Sequence, residues 1–145
     1  HMTAGPEDGD GARRAMTQAL RQAGIEASQV QYLNAHATST PVGDKGELAA
    51  IRTLFGTGGS PAISSTKSAT GHLLGAAGGI EAVFTVLALR DQIAPMTLNL
   101  ENPDALADGL DMVRDEARPM PIEYALSNGF GFGGVNASVL FRRWR

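Results

Sequence analysis

Residues 63–89 read ISSTKSATGHLLGAAGGIEAVFTVLAL, and this stretch constrains the chain more than any other. A short β-branched run passes through a polar, glycine-bearing turn into a helix that is apolar nearly all round. Ile80, Val83, Phe84 and Leu87 share that helix with Ala82, Val86 and Leu89, and a helix of this kind is expected to be buried. Gly75, Gly78 and Gly79 at its entry let other backbone approach closely. Glu81 is a lone carboxylate on the apolar cylinder and needs a partner; Lys67 is the candidate. Lys67 and His72 occupy the turn, and an amine and an imidazole against a helix N-terminus form a chemical site, not a packing device.

Composition narrows the function classes. At 145 residues the chain is one domain or a piece of one, and 43% hydrophobic with 19% charged residues supports a core and excludes a disordered chain. A net charge of -3 gives no reason to expect nucleic acid; the one basic cluster is Arg142, Arg143 and Arg145. There is no cysteine, hence no disulfide, thiolate metal ligand or cysteine nucleophile. The longest apolar run, 75–89, carries Glu81 and is too short to span a bilayer. The expectation is a soluble, cytoplasmic domain without a membrane partner.

Taken in order, Asp10 is expected to cap a helix with the apolar face Ala12, Ala15, Met16, Ala19, Leu20 and Ala23, stopped by Gly24. Val30 to Ala35 reads as a strand that delivers His36. Asp44 with Glu47 resembles a capping box opening a helix through Leu48, Ile51 and Phe55, closed by Gly56. Ala62 to Ser65 is a second strand. Pro95 to Asn99 reads as an edge strand or extended loop, and Met112 and Val113 as another. Tyr124 to Asn128 is a strand running into NGFGFGG, and Val135 to Phe141 closes the chain as a strand. This order implies an α/β fold: a mixed sheet with helices packed on it. Chemistry in such sheets collects beyond the carboxyl ends of strands. Loops 36–43, 66–72 and 128–134 leave strands that way and carry His36, Lys67, His72 and Phe132, which argues for a single site.

Three local patterns invite other readings. Gly129, Gly131 and Gly134 satisfy G-x-G-x-x-G, but a dinucleotide fingerprint must open a helix, and here a strand-like run follows. A tight glycine turn, or a glycine loop that aims Phe132 and backbone N–H groups at a ligand, remains. Ser64 to Lys67 matches S-x-x-K, but Ser64 reads as strand, and neither S-D-N nor K-T-G is present. His36 and His72 lack metal-ligand spacing; each lies just beyond a strand, which favours catalysis over a structural role.

The segments NAHATSTPVGD (34–44), KSATGHLLGAAG (67–78) and SNGFGFGGVN (127–136) closely resemble the β-ketoacyl-acyl carrier protein synthases, most nearly the type II, chain-elongating condensing enzymes of fatty acid synthesis. Residues 1–6, HMTAGP, resemble the same family. The resemblance implies the C-terminal half of a thiolase-like fold across residues 1–145. The half with the nucleophilic cysteine is absent, so the chain alone is expected to be inactive.

The resemblance also implies roles. His36 and His72 match two histidines that donate to a malonyl thioester oxygen as it becomes an enolate. His72, near a helix N-terminus, is expected to be held neutral by the dipole. Lys67 and Glu81 match the family's lysine and buried carboxylate. Thr3, Thr38 and Thr40 match positions lining the phosphopantetheine channel. Phe130 falls with them in the substrate-binding set. Phe132 matches the gate of the acyl pocket, its N–H completing an oxyanion hole. Asn34, Glu81, Ser127 and Asn128 surround a buried cation in some relatives; hydrogen bonding among them is the alternative. No cofactor is implied beyond the phosphopantetheine of the carrier. The implied partners are acyl carrier protein and, in the complete enzyme, a second copy as a homodimer. Ala37 and Gly129 stand where many relatives carry Gly and Ser. A non-catalytic partner of the chain-length-factor type, or a Ser/Lys acyl-transfer enzyme, is the alternative function.

Overall fold

The computed structural model describes residues 8–58 and 61–144. Thr3 and the rest of the amino-terminal motif lie outside them. Four helices are α1 (Asp10–Ala23), α2 (Pro41–Phe55), α3 (Lys67–Thr70) and α4 (Ala77–Asp91). The strands are β1 (Tyr32–Asn34), β2 (Ala62–Ser64), β3 (Ile93–Ala94), β4 (Arg118–Pro119), β5 (Tyr124–Phe130) and β6 (Asn136–Arg142).

The main sheet has the order β2-β1-β5-β6. β1 pairs in parallel with β2 and with β5, and β6 runs antiparallel to β5. The sheet is therefore mixed, as expected. β1 is three residues long and buried throughout, which is where a central parallel strand belongs. Side chains alternate across it. Leu33 and Leu126 face α1 and α2 in a core with Met16, Leu20, Ala50 and Ile51. Tyr32 and Ala125 face the other way, against Ala88, Leu89, Val113 and Ile122.

Several boundaries differ from the sequence reading. Gly9, not Asp10, is the N-cap of α1, with φ 66°; Asp10 is its first helical residue and pairs with Arg13 at 2.5 Å. Gly24 ends the helix at φ 67°, as expected. The capping box at Asp44 and Glu47 does not form. Pro41 supplies the fixed φ of a first helical position and starts α2 earlier, with Thr40 as N-cap. Glu47 then falls on the buried face. Of the two readings of residues 95–99 the loop is the one found, with Thr97 N–H donating to Val113 O; the small sheet is β3 with β4.

α4 corrects the largest expectation. Its buried positions are Ala77, Glu81, Thr85, Ala88 and Leu89, an i, i+4, i+8 stripe that meets the sheet. Val83 and Val86 on the other side are 51% and 46% exposed. Part of the apolar surface thus faces outward, and the side on the sheet mixes Ala77, Ala88 and Leu89 with the polar Glu81 and Thr85. A helix cannot be buried all round when a sheet lies on only one side of it.

Gly9 and Gly24 provide a matched test of backbone conformation and close packing. Both have φ near +66°. A Cβ at Gly24 meets nothing within 4 Å, whereas at Gly9 it would overlap the Gly46 carbonyl oxygen of α2. Gly24→Ala is expected to cost about 1–2 kcal/mol, the left-handed penalty alone. Gly9→Ala should cost about 1–3 kcal/mol more, because α1 must move off α2. Urea denaturation of both variants checks this; equal losses would show that the helix contact is unimportant.

Candidate active site

The carboxyl ends of β1 and β2 set the geometry. Asn34 ends β1 and ties the two ends together. Its Nδ2 donates to Thr66 Oγ1 at 3.0 Å, and its Oδ1 accepts from Thr66 N at 3.3 Å. Two residues beyond Asn34 lies His36. Beyond β2 the chain makes the single turn of α3, is released at Gly71 (φ 74°), and delivers His72. The His36 and His72 rings meet edge to face, with centroids 5.4 Å apart. Phe130 lies 5.6 Å from His36 on another side. A cavity of about 690 Å³ opens here, lined by His36, Thr38, Thr40, His72, Phe130 and Phe132. A second, of about 430 Å³, contains Lys67, Asp44 and Ser65, and shares Thr38 and His72 with the first. Thr38 and Thr40 are joined through their hydroxyls at 3.1 Å. Phe132 sits in a helical turn between β5 and β6 and is 76% exposed.

The structure brings Lys67 and Glu81 together. Nζ lies 2.5 Å from Oε1, and the two side chains are 4% and 2% exposed. Neither atom has an aligned hydrogen-bond partner among the described residues, so charge rather than hydrogen-bond geometry holds the pair. Fourteen positions separate the two in sequence, and the turn through α3 folds Lys67 back over α4.

His36 is half-buried, and its pKa is lowered from 6.5 to about 4. Desolvation is the main cause; the Lys67 ammonium and the neighbouring His72 add to it. His36 Nδ1 is buried and has no hydrogen-bond partner among the described residues. The ring is thus a neutral N–H donor at physiological pH. The helix-terminus argument made for His72 does not hold geometrically. α4 begins at Ala77, five residues on, and the dipole acts only within about one turn.

The four residues of the implied cation set divide their side chains between the two faces of the sheet. Ser127 stands opposite Asn34 in register and shares its face, toward α4 and Glu81. Asn128 is the next residue and faces α1 and α2: its Nδ2 donates to Glu47 Oε1 at 2.9 Å, and its Oδ1 accepts from Ser138 at 2.7 Å. Asn34 Oδ1 is already taken by Thr66. Strand alternation thus points the Asn128 side chain away from the face that carries Asn34 and Ser127.

Sequence reasoning missed Glu47, which it took for a cap. Glu47 is 4% exposed and accepts the N–H groups of His36 at 2.9 Å and Ala37 at 2.7 Å. Burial pushes its pKa up, while Asn128 and those two amides pull it down. The signal available in sequence was its i, i+4 spacing to Ile51, which puts it on the inner face of α2. Neither departure from the family pattern disturbs the site. Ala37 lies outside the positive-φ residues, and a Cβ at Gly129 would meet nothing within 4 Å.

A mixed sheet with helices packed on it delivers two histidines and a buried Lys–Glu pair to one set of cavities, the architecture of half of a thiolase-like fold. The model of the beta-ketoacyl synthase C-terminal domain matches residues 1–101, and the chain belongs to that family. It is 56% identical over 144 residues to a mitochondrial 3-oxoacyl-[acyl-carrier-protein] synthase of Arabidopsis thaliana, covering 97% of this chain and 31% of the relative. It is 54% identical to 3-oxoacyl-[acyl-carrier-protein] synthase 2 of Rhizobium meliloti (strain 1021), covering 99% and 34%. A type II polyketide ketosynthase, solved with its acyl-carrier protein and bound to the hexaketide, superposes with a TM-score of 0.93. It is 37% identical and aligns with 100% of this chain and 36% of its own. The chain spans about a third of the length of the curated relatives it matches.

Two predictions follow from the electrostatics. Glu81→Gln strands the buried Lys67 charge and should cost roughly 3–5 kcal/mol, read by chemical denaturation. A loss below about 1 kcal/mol would show that the pair is dispensable. The His36 ring should titrate by NMR near pH 4 rather than 6.5. Because the folded pKa is the lower one, the unfolded chain binds the proton first. This contribution to stability is intact above about pH 6.5 and falls as pH drops toward 4. A midpoint at or above 6.5 would contradict the burial argument.

Proposed function

We propose that this chain supplies the enolate-stabilising half of a β-ketoacyl-acyl carrier protein synthase of fatty acid synthesis. The observation that carries the reading is the pair of imidazoles 5.4 Å apart at a shared cavity, one of them held neutral. When malonyl thioester loses CO2, the electrons of the broken C–C bond move onto the thioester oxygen. His36 and His72 donate N–H groups to that oxygen. One such prepositioned donor is worth about 3 kcal/mol. The enolate carbon then attacks a cysteine-bound acyl thioester, and the cysteine departs as thiolate. This chain has no cysteine, so that nucleophile comes from outside it, and the chain alone forms no acyl-enzyme.

Lys67, buried on Glu81, opposes protonation of His36 and so preserves its role as a neutral donor. Thr38 and Thr40 offer hydroxyls to the phosphopantetheine amides, Phe130 packs beside the substrate, and Phe132 gates the acyl pocket. The partner is acyl carrier protein. This is supported by the related ketosynthase solved with its own carrier. The complete enzyme is a homodimer.

The test uses a polypeptide that carries this chain together with the nucleophilic cysteine. His72→Ala should lower malonyl decarboxylation and condensation by about 10²–10³-fold and leave acyl transfer to the cysteine nearly intact. The enolate forms only after transfer. Acyl-enzyme formation falling as far as condensation would refute the role.

A further inference from the structure

A second way out of the site runs behind His72. The main cavity, of about 690 Å³, is the one a carrier's thioester arm would fill, with Thr38, Thr40 and Phe132 on its walls. The second, of about 430 Å³, meets it at Thr38, Glu47 and His72. From that junction it passes the buried Ile51, Ile63 and Ala107 and reaches Leu98, Asn99 and Asp104, which are exposed. One end therefore touches an imidazole of the site and the other touches solvent. The mouth is fixed in place. Leu98 N–H donates to Ser68 Oγ at 2.9 Å, and Ser65 N–H donates to Thr97 Oγ1 at 3.0 Å. The segment at the mouth is thus tied to the turn that delivers His72.

Malonyl decarboxylation needs such a passage. When the C–C bond breaks, its electron pair goes to the enolate and the carboxylate carbon leaves as neutral CO2. The thioester arm still occupies the main cavity at that moment. CO2 held beside the enolate would meet it at high effective concentration and reform the bond. A neutral, linear molecule requires room and an outlet, not a countercharge. The walls of the second cavity include Leu48, Ile51, Ile63 and Met112, and the Lys67 ammonium on it is already met by Glu81 at 2.5 Å.

We infer that the second cavity is the exit for the CO2 lost from the malonyl group, with its inner end at His72 and its mouth at Leu98, separate from the path of the carrier's arm. The role as an exit rests on the reading of this chain as half of a decarboxylating enzyme. Entry of CO2 into the cavity does not.

The test has two arms. In the 145-residue chain, methyl NMR spectra are recorded in CO2-saturated and argon-saturated buffer at matched pH. Dissolved CO2 should shift the methyl signals of Ile51, Ile63 and Met112 and leave those of the outward Val83 and Val86 in place. No shift at the three cavity residues overturns the inference. In the cysteine-bearing polypeptide, Leu98→Trp narrows the mouth. It should lower kcat for malonyl decarboxylation roughly tenfold, because product escape becomes limiting, with acyl transfer to the cysteine unchanged, since that step releases no CO2. The carbon-13 isotope effect at the malonyl carboxyl should fall toward unity, because recombination then competes with escape. Leu98→Ala, which widens the mouth, should slow nothing. Undiminished turnover in folded Leu98→Trp overturns the exit, as does acyl transfer slowed to the same degree. If Leu98→Trp does not fold, Ala107→Leu narrows the passage from another wall and is read in the same way. A parent polypeptide that decarboxylates nothing sinks the functional reading, while the spectra still decide whether the cavity admits CO2.

Discussion

Burying a carboxylate costs more than any single contact in this fold returns unless the charge is met, and one is buried on each face of the sheet. Glu81 lies on the α4 face and Glu47 on the α2 face, 2% and 4% exposed. Each is met by the loop that carries a histidine. Lys67 comes from the turn that leads to His72, and the His36 and Ala37 amides come from the loop after β1. The two loops are therefore held where those charges require them, and the imidazoles are brought edge to face as a consequence. The energetics of folding and the geometry of the site are one problem here.

Lys67 illustrates how one group serves both ends. Its charge satisfies Glu81, and its field, added to desolvation, depresses the pKa of His36. The same ammonium that makes a buried acid tolerable thus reinforces what burial does to the neighbouring base, keeping it neutral. For the proposed enolate-stabilising role this matters, because a prepositioned N–H donor costs no reorganisation at the moment charge develops.

The polar sheet ends follow the same logic. Asn34 is met by Thr66 below and by Thr85 of α4, so the buried stripe of that helix carries a hydroxyl among its alanines and Leu89 while Val83 and Val86 point outward. Within the described residues that apolar side has no sheet to rest on. The cavity beside it is bordered by Leu74 and Phe132, each 76% exposed.

Much of this was legible in the chain itself. Periodicity and glycine stops located α1, α2, α4 and the main strands, because local spacing and φ requirements are written residue by residue. His36, Lys67, His72 and Phe132 were placed together because three loops leave strands in the same direction. The pairing of Lys67 with Glu81 followed from the cost of an unpaired buried acid. Tertiary structure alone decided the rest. Strand alternation put the Asn128 side chain on the face opposite Glu81, against Glu47 of α2. Pro41 shifted the start of α2 and turned an apparent cap, Glu47, inward to the His36 loop. The outward face of α4 depended on which surface the sheet occupies. A linear pattern states which residues are apolar or charged; which of two faces they meet is settled only when the strands pair.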